Sequence, residues 1–108
     1  MADPAALDIW LVARHGVGKS EDARPLVVLS LLSSGNLEVA PISSASDLRG
    51  ASWQHFAIDA SHPDFAATGL PKSSYVLGDS LGTVRRSQLI KRMGRLQGQL
   101  AKAFQDWI

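Results

Sequence analysis

The sequence feature that most constrains the fold is an apolar run from Pro25 to Leu32, bounded by a proline and by turn-forming residues. The run is far shorter than the roughly 18 residues of a membrane span, and its leucines and valines are typical of a strand buried on both faces. The turn-forming residues Ser33 to Asn36 separate it from a second apolar segment, Leu37 to Ile42. The two segments therefore predict a β-hairpin.

Further segments have the length and alternation of short strands, and glycine, proline and serine separate them. They are residues 7–12, 53–59, 74–77 and 81–84. Residues 43–52 and 61–72 are predicted as loops, the second because it contains two prolines and a glycine. Many short strands at this spacing predict a mainly β fold, a small barrel over about residues 7–84.

Beyond Val84 the apolar residues recur every three to four positions, which is the spacing of an amphipathic helix. They are Leu89, Met93, Leu96, Leu100, Phe104 and Trp107. Because Gly94 interrupts the pattern, we predict a short helix over about residues 87–93, with Ser87 as its N-cap and Gly94 at its end. A second helix is predicted over about residues 97–107, so the helical segment covers about 87–107 of a single domain, 1–108.

The composition excludes several classes of protein. The chain has 108 residues, of which 45% are hydrophobic and 19% charged, as expected of one folded domain and not of a disordered or membrane protein. It has no cysteine for a disulfide or a thiolate metal site, and its three histidines lack metal-ligand spacing. We predict His55 and His62 as structural or exposed residues. No signal peptide is apparent at the N-terminus, so we expect a cytoplasmic protein. We expect no cofactor.

The charge is distributed unevenly along the chain. Residues 85–108 contain six basic residues and one acidic residue, a net charge of +5, whereas residues 1–84 contain five basic and nine acidic residues, a net charge of −4. A basic C-terminal segment attracts phosphate groups or an acidic protein partner. A solvated helix face has the same composition, so charge alone does not distinguish these interpretations.

Arg24 stands directly before Pro25, at the start of the first predicted hairpin strand. Proline fixes its own φ and favours an extended conformation for the residue before it, which places a permanent charge at the mouth of a buried strand. The hydroxyls of Ser43 and Ser44 follow the end of the second hairpin strand. A guanidinium and hydroxyl groups at strand ends are suited to binding phosphate.

The segment from Ala13 to Ser20 matches the loose form of a nucleotide-binding loop, with Gly18-Lys19-Ser20 at its end. Such a loop requires a helix directly behind it. Here Glu21 to Pro25 leads straight into a β run, and alanine replaces the first glycine. We therefore interpret the segment as a basic loop between two strands and not as a site of nucleotide hydrolysis.

The ordered set of segments resembles the MazF/PemK toxins of bacterial type II toxin–antitoxin systems, within the CcdB/Kid-like superfamily. The resemblance covers about residues 7–104 and rests on these segments in this order: Asp8-Ile9-Trp10-Leu11-Val12, Arg24-Pro25 with Leu26-Val27-Val28-Leu29-Ser30, Val39-Ala40-Pro41-Ile42-Ser43-Ser44, Gly69-Leu70-Pro71-Lys72-Ser73-Ser74-Tyr75-Val76, Asp79, Thr83-Val84, and Leu89-Ile90-Lys91-Arg92-Met93-Gly94-Arg95-Leu96. It implies an SH3-like barrel with a C-terminal helix, a homodimer, and growth inhibition through metal-independent cleavage of single-stranded RNA. It also implies a cognate antitoxin that neutralises the toxin.

The resemblance also implies roles for individual residues. Arg24 matches the family's catalytic arginine, Ser43 takes the place of a family threonine, and Asp79 matches an acidic position close to the RNA. His15 lies in the loop that lines the family's RNA groove, and histidine is a residue type suited to general acid or base catalysis near neutral pH. The expected catalytic residues are Arg24, Ser43 and Asp79, and the expected RNA-binding residues are Arg14, His15, Lys19, Ser44, Arg85 and Arg86.

The chain also departs from the family pattern, and two other functions remain open. Some family members carry an arginine at the position of Leu77, and many carry one at the position of Gly82. A degenerate, non-catalytic barrel that binds RNA or protein is therefore one alternative. The other is a DNA gyrase poison like CcdB, whose C-terminus also contains a tryptophan, here Trp107. In the gyrase case Trp107 would be required, and otherwise it completes the apolar stripe of the helix.

Overall fold

The computed structural model describes residues 4–13, 23–44, 55–78 and 81–107, which form a seven-stranded antiparallel sheet followed by one α-helix. The strands are β1 (Asp8–Ala13), β2 (Ala23–Leu31), β3 (Leu37–Ser44), β4 (His55–Ile58), β5 (Ser74–Leu77), β6 (Gly82–Val84) and β7 (Leu89–Arg95), and the helix is α1 (Gly98–Trp107). Short 3₁₀ turns occur at Ala66–Thr68 and Arg86–Gln88. The prediction of a mainly β fold with a C-terminal helix is confirmed.

The strand order is β4-β5-β3-β2-β1-β7, with β6 pairing to β3 beside this path. The sheet is open, because no pairing joins β4 to β7 among the described residues. None of the helices in that part of the chain is long and apolar enough to cross a membrane.

The predicted hairpin is formed by β2 and β3, which pair antiparallel. Its turn is closed by hydrogen bonds from the Leu32 N–H to the Asn36 carbonyl, 2.9 Å, and from the Gly35 N–H to the Leu32 carbonyl, 2.9 Å. Gly35 has a φ of 90°, which glycine adopts without steric cost. The apolar runs on either side of the turn thus become the two central strands of the sheet.

The alternation of side chains along the central strands divides the core into two clusters, one on each face of the sheet. The larger cluster contains Ile9, Val27, Ala40, Ile42, Ile58, Leu70, Val76, Leu96, Leu100 and Phe104. The smaller cluster contains Trp10, Val12, Leu26, Val28, Leu37 and Val39. We call the first the helix-side face, because it packs against α1, and the second the opposite face.

The predicted helix over residues 87–93 is wrong, because Leu89–Arg95 forms strand β7 along β1. The pairing of the two strands shifts register at two places, and each shift adds one unpaired residue to β7. These extra residues are Ile90 and Met93. A β-bulge interrupts the two-residue alternation of a strand, so the apolar residues of β7 recur at a spacing that imitates a helix.

Gly94 does not end a helix but lets β7 pack closely against the 3₁₀ turn at Ala66–Thr68. A Cβ atom at this position would collide with the carbonyl oxygen of Ala67. Gly69, just after the turn, has a φ of 73°, and a Cβ there would collide with the carbonyl oxygen of Met93. Both glycines therefore allow backbone-to-backbone contact that no larger residue permits.

The second predicted helix is confirmed as α1. The carboxylate of Asp64 accepts hydrogen bonds from the N–H groups of Gln99 at 3.0 Å and Leu100 at 3.4 Å, and so caps the helix N-terminus from a distant loop. Trp107 at the other end packs against Phe56 and Phe104, with ring centroids 5.5 and 5.6 Å away. Trp107 therefore completes the apolar stripe of the helix.

Candidate functional site

One edge of the sheet collects the ends of four strands. β1 ends and β2 begins there, because Val12 pairs with Arg24. The end of β3 and the start of β5 meet at the same edge, because Ser44 pairs with Ser74. The antiparallel order of the strands thus brings the cation of β2 and the hydroxyls of β3 to one place, as the sequence predicted.

Arg24 and Ser43 lie on the same face of the sheet. The β2–β3 ladder ends at the pair Leu26 and Pro41, two residues before Ser43 and two after Arg24. Because side chains alternate along a strand, Arg24 shares the face of Leu26, and Ser43 shares the face of Pro41. This is the opposite face, away from α1, where Arg24 is exposed and Ser43 is half-buried.

A groove of about 850 Å³ opens at this edge. Its lining residues are Leu11, Val12, Arg24, Pro25, Pro41, Ile42, Ser43, Ser44, Leu70, Pro71, Lys72, Ser74, Leu77 and Met93. Among the described residues that line it, two are cations and none is acidic. The groove therefore combines positive charge and hydroxyl groups with apolar side chains, which suits a phosphate carried on a larger organic ligand.

Lys72 is the second cation of the groove, and sequence reasoning assigned it no role. Hydrogen bonds hold the segment around it: the Ser74 hydroxyl donates to the Lys72 carbonyl at 2.9 Å, and the Ala60 N–H donates to the Ser73 hydroxyl at 2.8 Å. Lys72 stands two residues before Ser74, which pairs with Ser44 across the β3–β5 ladder. Only this pairing indicates that Lys72 belongs to the site, and the sequence alone does not reveal it.

The structure does not bring every predicted residue into the groove. Arg85 and Arg86 follow β6, whose last residue Val84 pairs with Leu37 at the start of β3. Ser43 lies at the other end of β3, about 20 Å away at the usual rise per residue of a strand. The predicted site residues Arg14, His15, Lys19 and Asp79 lie outside the described residues.

The two positions where the chain departs from the resemblance differ in their relation to the groove. Leu77 lines it, so an apolar side chain occupies a place where an arginine would add positive charge. Gly82 pairs with Val39 in the middle of β3 and does not line the groove. Of the two departures, the one at Leu77 therefore bears directly on the site.

The histidines of the described residues have different surroundings. His62 Nδ1 accepts a hydrogen bond from the Asp64 N–H at 3.0 Å, in the loop that caps α1. His55 lies on β4, with its ring 6.3 Å from that of Tyr75. No group of three or more potential metal ligands occurs in residues 4–13, 23–44, 55–78 and 81–107.

Asp59 lies in the loop after β4 and outside the groove. Hydrogen bonds from the backbone N–H and the hydroxyl of Ser61, at 2.9 and 2.8 Å, lower the pKa of its carboxyl group. The lowered pKa therefore reflects hydrogen bonds within a local turn and does not mark a catalytic group.

Comparisons with known proteins identify a family and a fold. A family model described as PemK-like, MazF-like toxin of type II toxin–antitoxin system matches residues 5–108. Comparison with curated proteins finds no match.

Several solved structures share the fold at low sequence identity. The Mycobacterium tuberculosis toxin MazF-mt6 is 24% identical, with a TM-score of 0.65 over 94% of this chain and 91% of that one. An endoribonuclease in complex with its cognate antitoxin, from a mycobacterial species, is 14% identical, with a TM-score of 0.68 over 97% of this chain and 90% of that one. An Mtb toxin known from a crystal structure is 24% identical, with a TM-score of 0.61 over 91% of this chain and 94% of that one.

Proposed function

The chain belongs to the PemK-like, MazF-like toxins of type II toxin–antitoxin systems, and we propose that it is an endoribonuclease that cleaves single-stranded mRNA without a metal ion. The observation that carries the proposal is the groove in which Arg24 of β2 and Ser43 and Ser44 of β3 meet at one sheet edge. Its positive charge and hydroxyl groups match the chemistry of a phosphodiester.

Cleavage of RNA without a metal uses the 2′-hydroxyl of the substrate as the nucleophile. This hydroxyl loses its proton and attacks the adjacent phosphorus, and the 5′-oxygen leaves with a proton, which produces a 2′,3′-cyclic phosphate. The pentacoordinate phosphorus carries extra negative charge that must be stabilised. A guanidinium provides this stabilisation through two parallel hydrogen bonds to the non-bridging oxygens, and we assign this role to Arg24.

Ser43 and Ser44 supply hydroxyl groups on the next strand. We propose that Ser43 donates a hydrogen bond to a non-bridging oxygen of the scissile phosphate, in the place of the threonine that the family carries. Ser44 would bind the neighbouring phosphate or sugar. Since a guanidinium is a poor general base, we assign the two proton transfers to Asp79 and His15, which lie outside the described residues.

The proposal extends to partners and cellular location. We propose that a cognate antitoxin lays an acidic or amphipathic segment across the groove, where it would compete with RNA for Arg24. We further propose that the toxin acts as a homodimer in the cytoplasm, where its mRNA substrate is found.

The first test is incubation of the purified protein with a long single-stranded RNA in EDTA, with wild type beside Arg24→Ala. We expect discrete wild-type cuts with 2′,3′-cyclic phosphate ends, and a loss of about 10²- to 10³-fold in rate for the variant, because a stabiliser of the transition-state charge is removed. Lys102→Ala is the matched control, since it removes the same charge from an exposed position of α1 outside the groove.

Other results would favour another function. Intact RNA with every variant would contradict the ribonuclease and favour a gyrase poison or a non-catalytic member of the same fold that binds RNA or protein. Equal cutting by wild type and Arg24→Ala would show that the catalytic residue lies elsewhere. The packing of Trp107 against Phe56 and Phe104 favours the ribonuclease over the gyrase poison, because it gives this tryptophan a structural role.

A further inference from the structure

Two aromatic side chains lie near Ser43 on the opposite face of the sheet, one on the adjacent strand β5 and one on the strand beyond it, β4. Tyr75 is the cross-strand partner of Ser43 in the β3–β5 pairing, and residues directly opposite each other point to the same face. His55 of β4 pairs with Leu77, which is two residues beyond Tyr75 and therefore also points to this face. The rings of His55 and Tyr75 have centroids 6.3 Å apart and are tilted by 50°.

This part of the opposite face is not covered by the core. Ala57, the cross-strand partner of Tyr75, is exposed, and both rings are half-buried. The β4 residues that alternate with His55 and Ala57, namely Phe56 and Ile58, pack into the helix-side cluster instead. Among the described residues, the smaller apolar cluster that covers this face includes no residue of β4 or β5. The two rings therefore stand at the solvent boundary.

The aromatic pair lies next to the groove without lining it. Ser43 and Leu77, the cross-strand partners of Tyr75 and His55, both line the groove. Cβ atoms of such partners are about 4.5–5.5 Å apart, and adjacent strands are about 4.8 Å apart. Tyr75 is therefore one strand away from Ser43 and two strands away from Arg24. If the phosphate of an RNA nucleotide lies between Arg24 and Ser43, a neighbouring base is within reach of the rings of Tyr75 and His55.

We propose that Tyr75 and His55 form an aromatic platform on which one base of the RNA stacks, next to the phosphate held by Arg24 and Ser43. The inference rests on the proposed ribonuclease function and adds the residues that position the RNA strand in the groove. Recognition of single-stranded RNA commonly uses bases stacked on aromatic side chains, often on an open sheet face. The platform fixes which phosphate enters the groove, so Tyr75 and His55 are positioning residues.

The test is a coupling measurement between the protein and individual bases. A short RNA is prepared with a 2′-deoxy nucleotide at the mapped cleavage position, so that it binds without being cut, and each base in turn is replaced by an abasic site. We expect Tyr75→Ala to weaken binding by about 5- to 150-fold, the range for loss of one stacked base. One abasic site should weaken wild-type binding by a similar factor but weaken Tyr75→Ala no further.

Two further variants separate stacking from other roles. Tyr75→Phe keeps the ring and loses the hydroxyl, so its affinity should stay within about twofold of wild type if stacking is the interaction. His55→Ala should weaken binding at the same base, whereas His62→Ala removes an imidazole from the loop that caps α1 and should leave binding unchanged. Thermal unfolding of each variant shows that it is folded before its affinity is interpreted.

The outcomes distinguish this inference from the proposed function. Arg24-dependent cutting without coupling between Tyr75 and any base would overturn the platform and leave the ribonuclease intact. If no cutting occurs, the coupling is measured on unmodified RNA, and coupling there would support the platform while overturning the ribonuclease. A loss for Tyr75→Phe as large as for Tyr75→Ala would overturn stacking, because the hydroxyl would then be the important group. Absence of RNA binding by wild type would overturn both.

Discussion

Arg24 owes its position to the residue that follows it. Pro25 cannot donate a backbone hydrogen bond, and it disfavours a helical conformation for the residue before it. The chain therefore enters β2 extended at Arg24, which places the guanidinium at the start of the strand. Both properties can be read from the sequence, as can the serines at the end of β3. Lys72 and Tyr75 could not be assigned in this way, because only the β3–β5 register brings Lys72 to the groove and Tyr75 beside Ser43.

Substitution of Ser43 tests how much of the cleavage rate depends on a single hydroxyl group. We expect Ser43→Ala to lower the single-turnover cleavage rate by about 10²-fold, since it removes one donor to the developing phosphate charge. Ser43→Thr should cleave at least as fast as wild type, because it keeps the hydroxyl and its β-branch stiffens χ1 on a strand. Ser33→Ala, in the hairpin turn at the other end of β3, is the matched control. A Ser43→Ala rate equal to wild type would remove Ser43 from the catalytic residues.

At the scale of elements, the hairpin was predictable and β7 was not. The β2–β3 hairpin has continuous apolar runs and a glycine turn, so local sequence and final structure agree. In β7 the two bulges move apolar residues out of the alternation that identifies a strand, and the sequence pattern alone indicates a helix. Its pairing with β1, some eighty residues away in the chain, decides the outcome.

Substitution of Gly94 tests the close contact between β7 and the 3₁₀ turn at Ala66–Thr68. We expect Gly94→Ala to lower the free energy of unfolding by about 1–3 kcal/mol, because its Cβ would collide with the Ala67 carbonyl and force backbone shifts. Gly82→Ala is the control, since no heavy atom lies within 4 Å of a Cβ placed there, and it should change stability by less than about 0.5 kcal/mol. Urea unfolding measures both. Equal stabilities of the two variants would contradict the close contact.

At the scale of the whole molecule, the basic C-terminal segment does not form one helix face. Much of its charge lies on β7, where Lys91, Arg92 and Arg95 are exposed. Arg92 Nε lies 3.3 Å from the carboxylate of the buried Asp8. The charge asymmetry of the sequence is therefore divided among the 3₁₀ turn after β6, strand β7 and α1. Among the described residues, the positive charge of the groove comes from Arg24 and Lys72, which lie outside this segment.

This division predicts which cations contribute to the salt dependence of RNA binding. If Lys72 contacts a phosphate, Lys72→Gln should reduce the slope of log affinity against log salt by about 0.7, the value for one contact to a single strand. Lys102→Gln should leave the slope unchanged, because its side chain lies on α1 outside the groove. Dissociation constants of an uncleavable RNA over a salt series provide the measurement. Equal slopes for wild type and Lys72→Gln would show that Lys72 contacts no phosphate.

The bulges of β7 also affect how the molecule behaves in a crowded solution. β7 stands at one end of the strand order, and a strand in that place offers unpaired backbone groups on which another chain could build an aggregate. Two bulges and three exposed cations make this edge irregular and mutually repulsive between copies. The bulges that make β7 difficult to predict from the sequence thus also favour solubility, because a second molecule finds no regular edge strand on which to extend the sheet.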